Sequence, residues 1–252
     1  MFQRRQEGGR GQQLVAVNVD TLLIVTSCNA DFNLARLERY LIMANQAGSN
    51  PVIVLTKADT AEDAGVFQAQ AEALQRDLSC HCLEWALRGR RFPVGALVRR
   101  WPDVALVGSS GVGKSTLVNT MTAPESDTNQ KTGTIREYDA QGRHTTTARS
   151  LHAISGGGFV INTPGIRTLY SSDVTDGIDT LFAETTDLAP LCRFRDCTHA
   201  HEPGCAVQAA VSSGALLADR LERRPALVTE NRDRTPVVSG LRGNKIVRKK
   251  KY

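Results

Sequence analysis

The 252-residue sequence predicts an α/β fold in which a largely parallel sheet is followed by a small, mainly helical metal-binding segment. Three observations carry that expectation. Short runs dense in Val, Ile and Leu alternate with helix-like segments up to about residue 185. A glycine-rich loop stands between one such run and a helix. Beyond residue 190, Cys192, Cys197 and Cys205 crowd together with His199 and His201.

Each element follows from local chemistry. Residues 14–27, LVAVNVDTLLIVTS, are apolar enough for one or two buried strands. Asn29 or Asp31 can cap a helix over 33–47, in which Leu34, Leu37, Leu41 and Ile42 share a face. Pro51 opens a strand over 52–55 that runs into the turn Thr56-Lys57-Ala58-Asp59, and an Ala/Gln/Glu-rich stretch predicts a helix over 61–77. Residues 78–102, rich in arginine, show no clean period. A strand over 104–107 feeds the glycine loop and a helix from Lys114, and the Thr-rich stretch 122–147 reads as a long loop. Two short strands, 151–154 and 159–161, flank a glycine turn; a helix over about 205–223 and a basic tail close the chain. The expected division is a remnant or linker over 1–20, a nucleotide-binding domain over 21–185 and a metal-binding domain with the tail over 186–252.

Composition narrows the class. With 41% hydrophobic and 23% charged residues the chain can bury a core. No apolar run approaches the ~20 residues of a membrane helix, and MFQRRQEGGRGQ has no apolar signal core. Secreted and membrane readings are therefore set aside in favour of a cytoplasmic protein, and nothing in the sequence requires more than a monomer. The net charge of +5 is uneven: from Asp219 onward there are eleven basic and four acidic residues. Such a block is either a solvated end or a contact to nucleic-acid phosphate. In a chain without a signal peptide, the Cys/His cluster reads as metal-binding before it reads as disulfides.

Gly108-Ser109-Ser110-Gly111-Val112-Gly113-Lys114-Ser115 fits G-x-x-x-x-G-K-[ST] at every fixed position, after an apolar strand and before a helix. Backbone N–H groups and the helix N-terminus can bind phosphate there, Lys114 can reach the β and γ phosphates, and the Ser115 hydroxyl can coordinate Mg²⁺. Thr116 extends the candidate nucleotide contacts by one residue. Thr56-Lys57-Ala58-Asp59 fits [NT]-K-x-D at a strand end, where a carboxylate accepts both N1–H and N2–H₂ of guanine but is left unpaired by adenine. Asn162-Thr163-Pro164-Gly165 resembles the D-x-P-G loop that senses a γ-phosphate. In common GTPases the guanine loop lies downstream of the phosphate loop; here it lies upstream, which is the order of a circularly permuted P-loop GTPase.

Taken together, NVDTLLIVTS, DFNLARLERYL, PVIVLTKAD, VALVGSSGVGKSTLVN, GRHTTTAR, NTPGIR and CRFRDCTHAHEPGCAV resemble the RsgA/YjeQ family of small ribosomal subunit-dependent GTPases, from about Gln13 to about Val207. The resemblance implies a circularly permuted GTPase domain preceded by an OB-fold and followed by a zinc domain, binding the small subunit and its rRNA late in maturation and stimulated by it to hydrolyse GTP to GDP. It places the zinc ligands on Cys192, Cys197, His199 and Cys205 and leaves His201 outside. Three thiolates and one imidazole are a normal structural zinc set with no open position for catalysis. Of Thr145, Thr146 and Thr147, one (taken as Thr146) would ligate Mg²⁺ and sense the γ-phosphate, and His144 could polarise the attacking water.

This sequence also departs from the family pattern. Asn162 stands where the family has Asp, and an amide lacks the charge that helps to hold hydrated Mg²⁺. Little precedes Gln13, so the OB-fold is expected to be absent or truncated. The loop on the ribose side of the base has no counterpart in 78–102. The alternative reading is a degenerate guanine-nucleotide-binding module that contacts RNA and scarcely hydrolyses.

Overall fold

The computed structural model describes residues 2–5, 12–16, 18–83, 103–122, 150–154, 157–163, 174–234, 237–238 and 245–246. Strands β1 (Phe2–Arg5) and β2 (Gln12–Ala16) pair antiparallel. β3 (Thr21–Ser27) is buried along its whole length, as expected of a strand covered on both faces. It joins β4 (Asn50–Thr56), β5 (Ser79–Cys82), β6 (Asp103–Val107), β7 (Ser150–Ala153) and β8 (Phe159–Asn162) in a six-stranded sheet of order β5-β4-β3-β6-β8-β7. All neighbours are parallel except β7 and β8, whose antiparallel pairing follows from the short glycine turn between them.

Alternation along β3 sends its side chains into two cores. Leu22 and Ile24 meet Leu37, Tyr40 and Leu41 of α1 (Leu34–Gln46) and Ile178, Leu181 and Phe182 in and after α4 (Thr175–Leu181). Leu23 and Val25 meet Leu117, Val118 and Met121 of α3 (Lys114–Met121). α2 (Ala64–Glu72) lies against β5 on the α1 side. α4 approaches α1 closely enough that a Cβ on Gly177 would collide with the carbonyl oxygen of Ile42. No described helix is long and apolar enough to cross a membrane.

The structure corrects several expected elements. Asn33, not Asn29 or Asp31, caps α1: its side chain accepts from the Arg36 N–H. α2 is shorter than 61–77 and starts at the Asp63 cap. β5 lies in the stretch that shows no period, because four residues are too few to display one. The helix expected over 205–223 is two helices, α6 (Ala206–Ser212) and α7 (Ala218–Arg234), separated at Gly214, whose φ of 76° no β-carbon-bearing residue adopts cheaply. α5 (Ala183–Leu188) follows α4, and β9 (Val237–Val238) pairs with β10 (Lys245–Ile246).

The first part of the basic tail is therefore a docked helix. Arg220 is almost fully buried: it pairs with Glu184 at 2.5 Å, donates to the carbonyls of Leu74 (2.5 Å) and Leu181 (2.6 Å), and lies over the Phe182 ring. Arg223 pairs with Glu38, Arg224 with Asp179, and Glu230 of the same helix with Arg39 of α1. Removing one partner of such a buried set strands the others without water. Arg220→Ala should lower unfolding free energy in urea by about 3 kcal/mol, whereas Arg76→Ala, from the exposed Arg76–Asp187 pair, should change it by less than about 0.5 kcal/mol. Equal effects of the two substitutions would remove Arg220 from this structural role.

Candidate functional site

The parallel strands all deliver their carboxyl ends to one edge of the sheet. The chain leaves β3 toward β4 and leaves β6 toward β8, on opposite sides, so a crevice opens between β3 and β6, where open α/β sheets bind ligands. Gly108–Gly113 begins there. A Cβ at Gly108 would collide with the Val25 carbonyl oxygen, so the loop must start with glycine to pass beside β3. Gly111 and Gly113 take φ of 82° and 92° and turn the backbone into the N-terminus of α3.

Lys114 is buried within this loop, and its Nζ donates to the carbonyls of Gly108 (2.9 Å) and Ser109 (2.5 Å). Burial pushes its ammonium down to about 8, partly opposed by the Asp31 carboxylate. Asp31 was legible in the sequence only as a candidate cap; it lies instead in the loop after β3, 3.2 Å from Arg36, and no local pattern signals its proximity to Lys114. Ser115 and Thr116 are half-buried on the first turn of α3. The hydroxyl of Ser109 is buried and has no hydrogen-bond partner among the described residues.

Thr56, Lys57, Ala58 and Asp59 leave β4 at the same edge. Thr56 is fully buried, and its Oγ1 reaches the carbonyl of Val112 at 2.7 Å and that of Thr26 at 3.0 Å. A hydroxyl donates to one acceptor at a time, and the shorter contact ties this loop to the phosphate loop. Lys57 has a φ of 57°, turning the chain so that Ala58 is buried and Asp59 exposed. The end of β5 stands beside β4, with the Leu83 N–H on the Leu55 carbonyl (2.7 Å). The residues that follow, 84–102, lie outside the described residues.

Asn162 ends β8, buried, with Leu106 of β6 and Ser150 of β7 as its register partners. Thr163 Oγ1 donates to the Leu106 carbonyl at 2.6 Å, fixing this strand end next to the strand that feeds the phosphate loop. His144, Thr145, Thr146, Thr147, Pro164 and Gly165 lie outside the described residues.

Between α5 and α7, Cys192, Cys197, His199 and Cys205 place their ligand atoms within 4.8 Å of one another; His201 is not among them. Cys192 Sγ is 3.8 Å from Cys205 Sγ, and His199 Nδ1 is 3.6 and 3.5 Å from these two sulfurs. A tetrahedron with metal–sulfur bonds of ~2.3 Å and metal–nitrogen bonds of ~2.0–2.1 Å has S–S edges of about 3.8 Å and S–N edges of about 3.5 Å. The set therefore fits a four-coordinate metal ion. The Glu202 carboxylate accepts from the N–H groups of Thr198 (2.8 Å), Ala200 (3.1 Å) and His201 (3.2 Å), bracing the loop that presents His199. Burial pushes the Cys28 and Cys80 thiols up to about 11 and about 12, so they are protonated core residues at neutral pH.

Two outcomes follow from this geometry. An anion bound against Lys114 stabilises its charged form, so binding takes up a proton above pH 8. GDP affinity should fall about tenfold between pH 7 and pH 9, with proton uptake visible by calorimetry in buffers of different ionisation enthalpy; a flat profile without uptake would show that Lys114 does not meet the anion. The protein should carry one metal ion per chain, and a strong chelator should make Cys192, Cys197 and Cys205 reactive toward a thiol reagent while Cys28 and Cys80 stay protected. Thiol reactivity that is indifferent to chelation would sink the metal assignment.

Comparison with known proteins agrees with this architecture. The model of the RsgA GTPase family matches residues 1–171. The chain is 63% identical over 245 residues to the small ribosomal subunit biogenesis GTPase RsgA of Mesorhizobium japonicum, covering 97% of this chain and 71% of that protein. It is 45% identical over 240 residues to RsgA 2 of Vibrio vulnificus, covering 90% of this chain and 64% of that one. Among solved structures it resembles YloQ, described as a circularly permuted GTPase, with a TM-score of 0.58 and 27% identity over 87% of this chain and 70% of that one. YjeQ from Thermotoga maritima shares the fold with a TM-score of 0.59 at 21% identity, over 84% of this chain and 71% of that one. With its guanine-type loop upstream of its phosphate loop and both on one sheet edge, the chain belongs to the RsgA GTPase family.

Proposed function

We propose that this protein binds GTP with Mg²⁺ and hydrolyses it to GDP and phosphate in response to the small ribosomal subunit, acting in the cytoplasm late in that subunit's maturation. The observation that carries the reading is the Thr56 hydroxyl on the Val112 carbonyl, which fastens a guanine-type loop to a phosphate loop. The names of the relatives support the choice of partner. Residues 21–185 would form the nucleotide unit and 186–252 the metal-binding unit.

In this reading Asp59 accepts the two N–H groups of guanine, and the N–H groups of Gly108 to Gly113 with the α3 N-terminus hold the phosphates. Lys114 exchanges its two carbonyl partners for phosphate oxygens. Ser115 Oγ, a neutral oxygen donor on the first turn of α3, and Thr146 would hold the Mg²⁺, which neutralises charge on the β and γ phosphate oxygens. Gly165 would donate its N–H to the γ-phosphate, and His144 would orient the water. The cysteines and His199 would hold one structural zinc, since four protein ligands leave no position for a reacting water.

A second reading, a guanine-nucleotide-binding RNA module with little hydrolysis, is favoured by Asn162, whose amide offers no negative charge. Steady-state GTP hydrolysis by the zinc-loaded protein, with and without purified small subunits, separates the two. Strong stimulation supports the GTPase reading. Absent stimulation with intact GDP binding favours the binding module, and Asn162→Asp should then raise turnover if the amide is limiting. ADP competing as well as GDP would overturn both.

A further inference from the structure

On β7, at the end of the six-stranded sheet, a serine and a histidine bond each other beside Asn162, and the function proposed above uses neither. Ser150 and His152 are two residues apart on a strand and so share a face. Ser150 Oγ lies 2.8 Å from His152 Nε2. The shared face is the one that α3 covers. In the antiparallel register His152 is opposite Val160 and Ser150 is opposite Asn162. Val160 and Ile154 belong to the core that α3 closes, and α3 packs on β8. Leu106 of β6, Asn162 and Ser150 therefore form one row across the sheet, next to the edge from which the phosphate loop leaves.

Packing alone does not call for this pair. The neighbouring inward positions of the sheet, Val104, Leu106, Val160 and Ile154, are aliphatic. A buried imidazole at His152, 6% exposed, needs hydrogen-bond partners that a leucine would not. The pair does answer a need of Asn162. A carboxylate at that position has two equivalent acceptors. An amide has one oxygen and one NH₂, and only the oxygen can accept from water held on Mg²⁺. The amide nitrogen must therefore be turned away from the site. Residues directly opposed on one face of an antiparallel pair have Cβ atoms about 4.5–5.5 Å apart, within hydrogen-bond reach for Ser and Asn. A hydroxyl that donates to one group can accept from another, so a Ser150 O–H committed to His152 Nε2 leaves a lone pair for the Asn162 N–H.

We propose that Ser150 and His152 are positioning residues for the magnesium side of the nucleotide site. His152 Nε2 accepts from the Ser150 hydroxyl, the hydroxyl accepts from the Asn162 amide, and the amide oxygen is thereby turned toward the water shell of the ion. Orientation then supplies part of what a carboxylate would supply by charge. The inference rests on the guanine-nucleotide reading above, and it requires the His152 tautomer with its proton on Nδ1. The opposite tautomer would reverse each bond in the series and turn the amide nitrogen toward the cation.

Two measurements test it. Nitrogen NMR of the zinc-loaded, Mg²⁺-free protein, labelled in its histidines, should show an unprotonated His152 Nε2 at mildly alkaline pH, with the signal identified by its loss in His152→Phe. A proton on Nε2 overturns the proposal. The second measurement titrates Mg²⁺ against binding of a non-hydrolysable GTP analogue. Ser150→Ala should raise the half-saturating Mg²⁺ concentration about tenfold, and Ser150→Thr should keep the wild-type value. In the Asn162→Asp background, where no amide needs orienting, Ser150→Ala should change it by less than about twofold. An equal penalty in both backgrounds marks a purely structural role and overturns the proposal. Ser150→Ala without effect, or analogue binding indifferent to Mg²⁺, overturns the proposal and spares the guanine-nucleotide reading. Wild-type protein that binds no analogue at any Mg²⁺ concentration overturns both. Unchanged zinc content and Tm show that the variants fold.

Discussion

The organisation of this protein depends on the burial of β3. Seven consecutive residues from Thr21 to Ser27 lie inside the sheet, with β4 on one side and β6 on the other. A strand covered on both faces has no freedom to slip, because a shift of one residue would exchange the contents of the two cores. Its end then sets the height of everything around it. The Cys28 N–H bonds the Thr56 carbonyl at 2.9 Å, and the Val25 carbonyl sits where a side chain at residue 108 would have to go. The guanine-type loop and the phosphate loop are thus each positioned against the same strand before any nucleotide arrives. A single side chain, Thr56, then joins one loop to the other.

Circular permutation is compatible with this geometry for a simple reason. Parallel strands do not care in which order the chain visits them, provided that each crossover covers a face of the sheet. The loops meet because their strands are neighbours in the sheet. Moving the guanine-type loop ahead of the phosphate loop changes the chain's path and leaves the crevice at the same place.

The arginine-rich helix α7 links the metal-binding loop to this core. Its charges look like a nucleic-acid-binding tail when read as composition, yet Arg220, Arg223 and Arg224 face carboxylates of α1, α4 and α5. Glu38 shows the other half of the arrangement: it is buried on α1 at a position where a solvent-facing acid would be expected, because Arg223 covers it.

The sequence alone determined what is local in the chain. A phosphate loop is legible because its function needs consecutive residues: glycines where the backbone is twisted or crowded, then a lysine and a hydroxyl on the first helical turn. The Thr56–Asp59 loop and the Cys/His cluster are legible for the same reason, and so is the order of the loops. Tertiary structure decided whatever depends on residues far apart. It placed a short strand, Ser79–Cys82, beside β4 and brought Asp31 to bear on Lys114. It also turned the first basic residues after Asp219 into internal clasps. In each case the deciding quantity was the distance to a group elsewhere in the chain, which propensity and spacing do not contain.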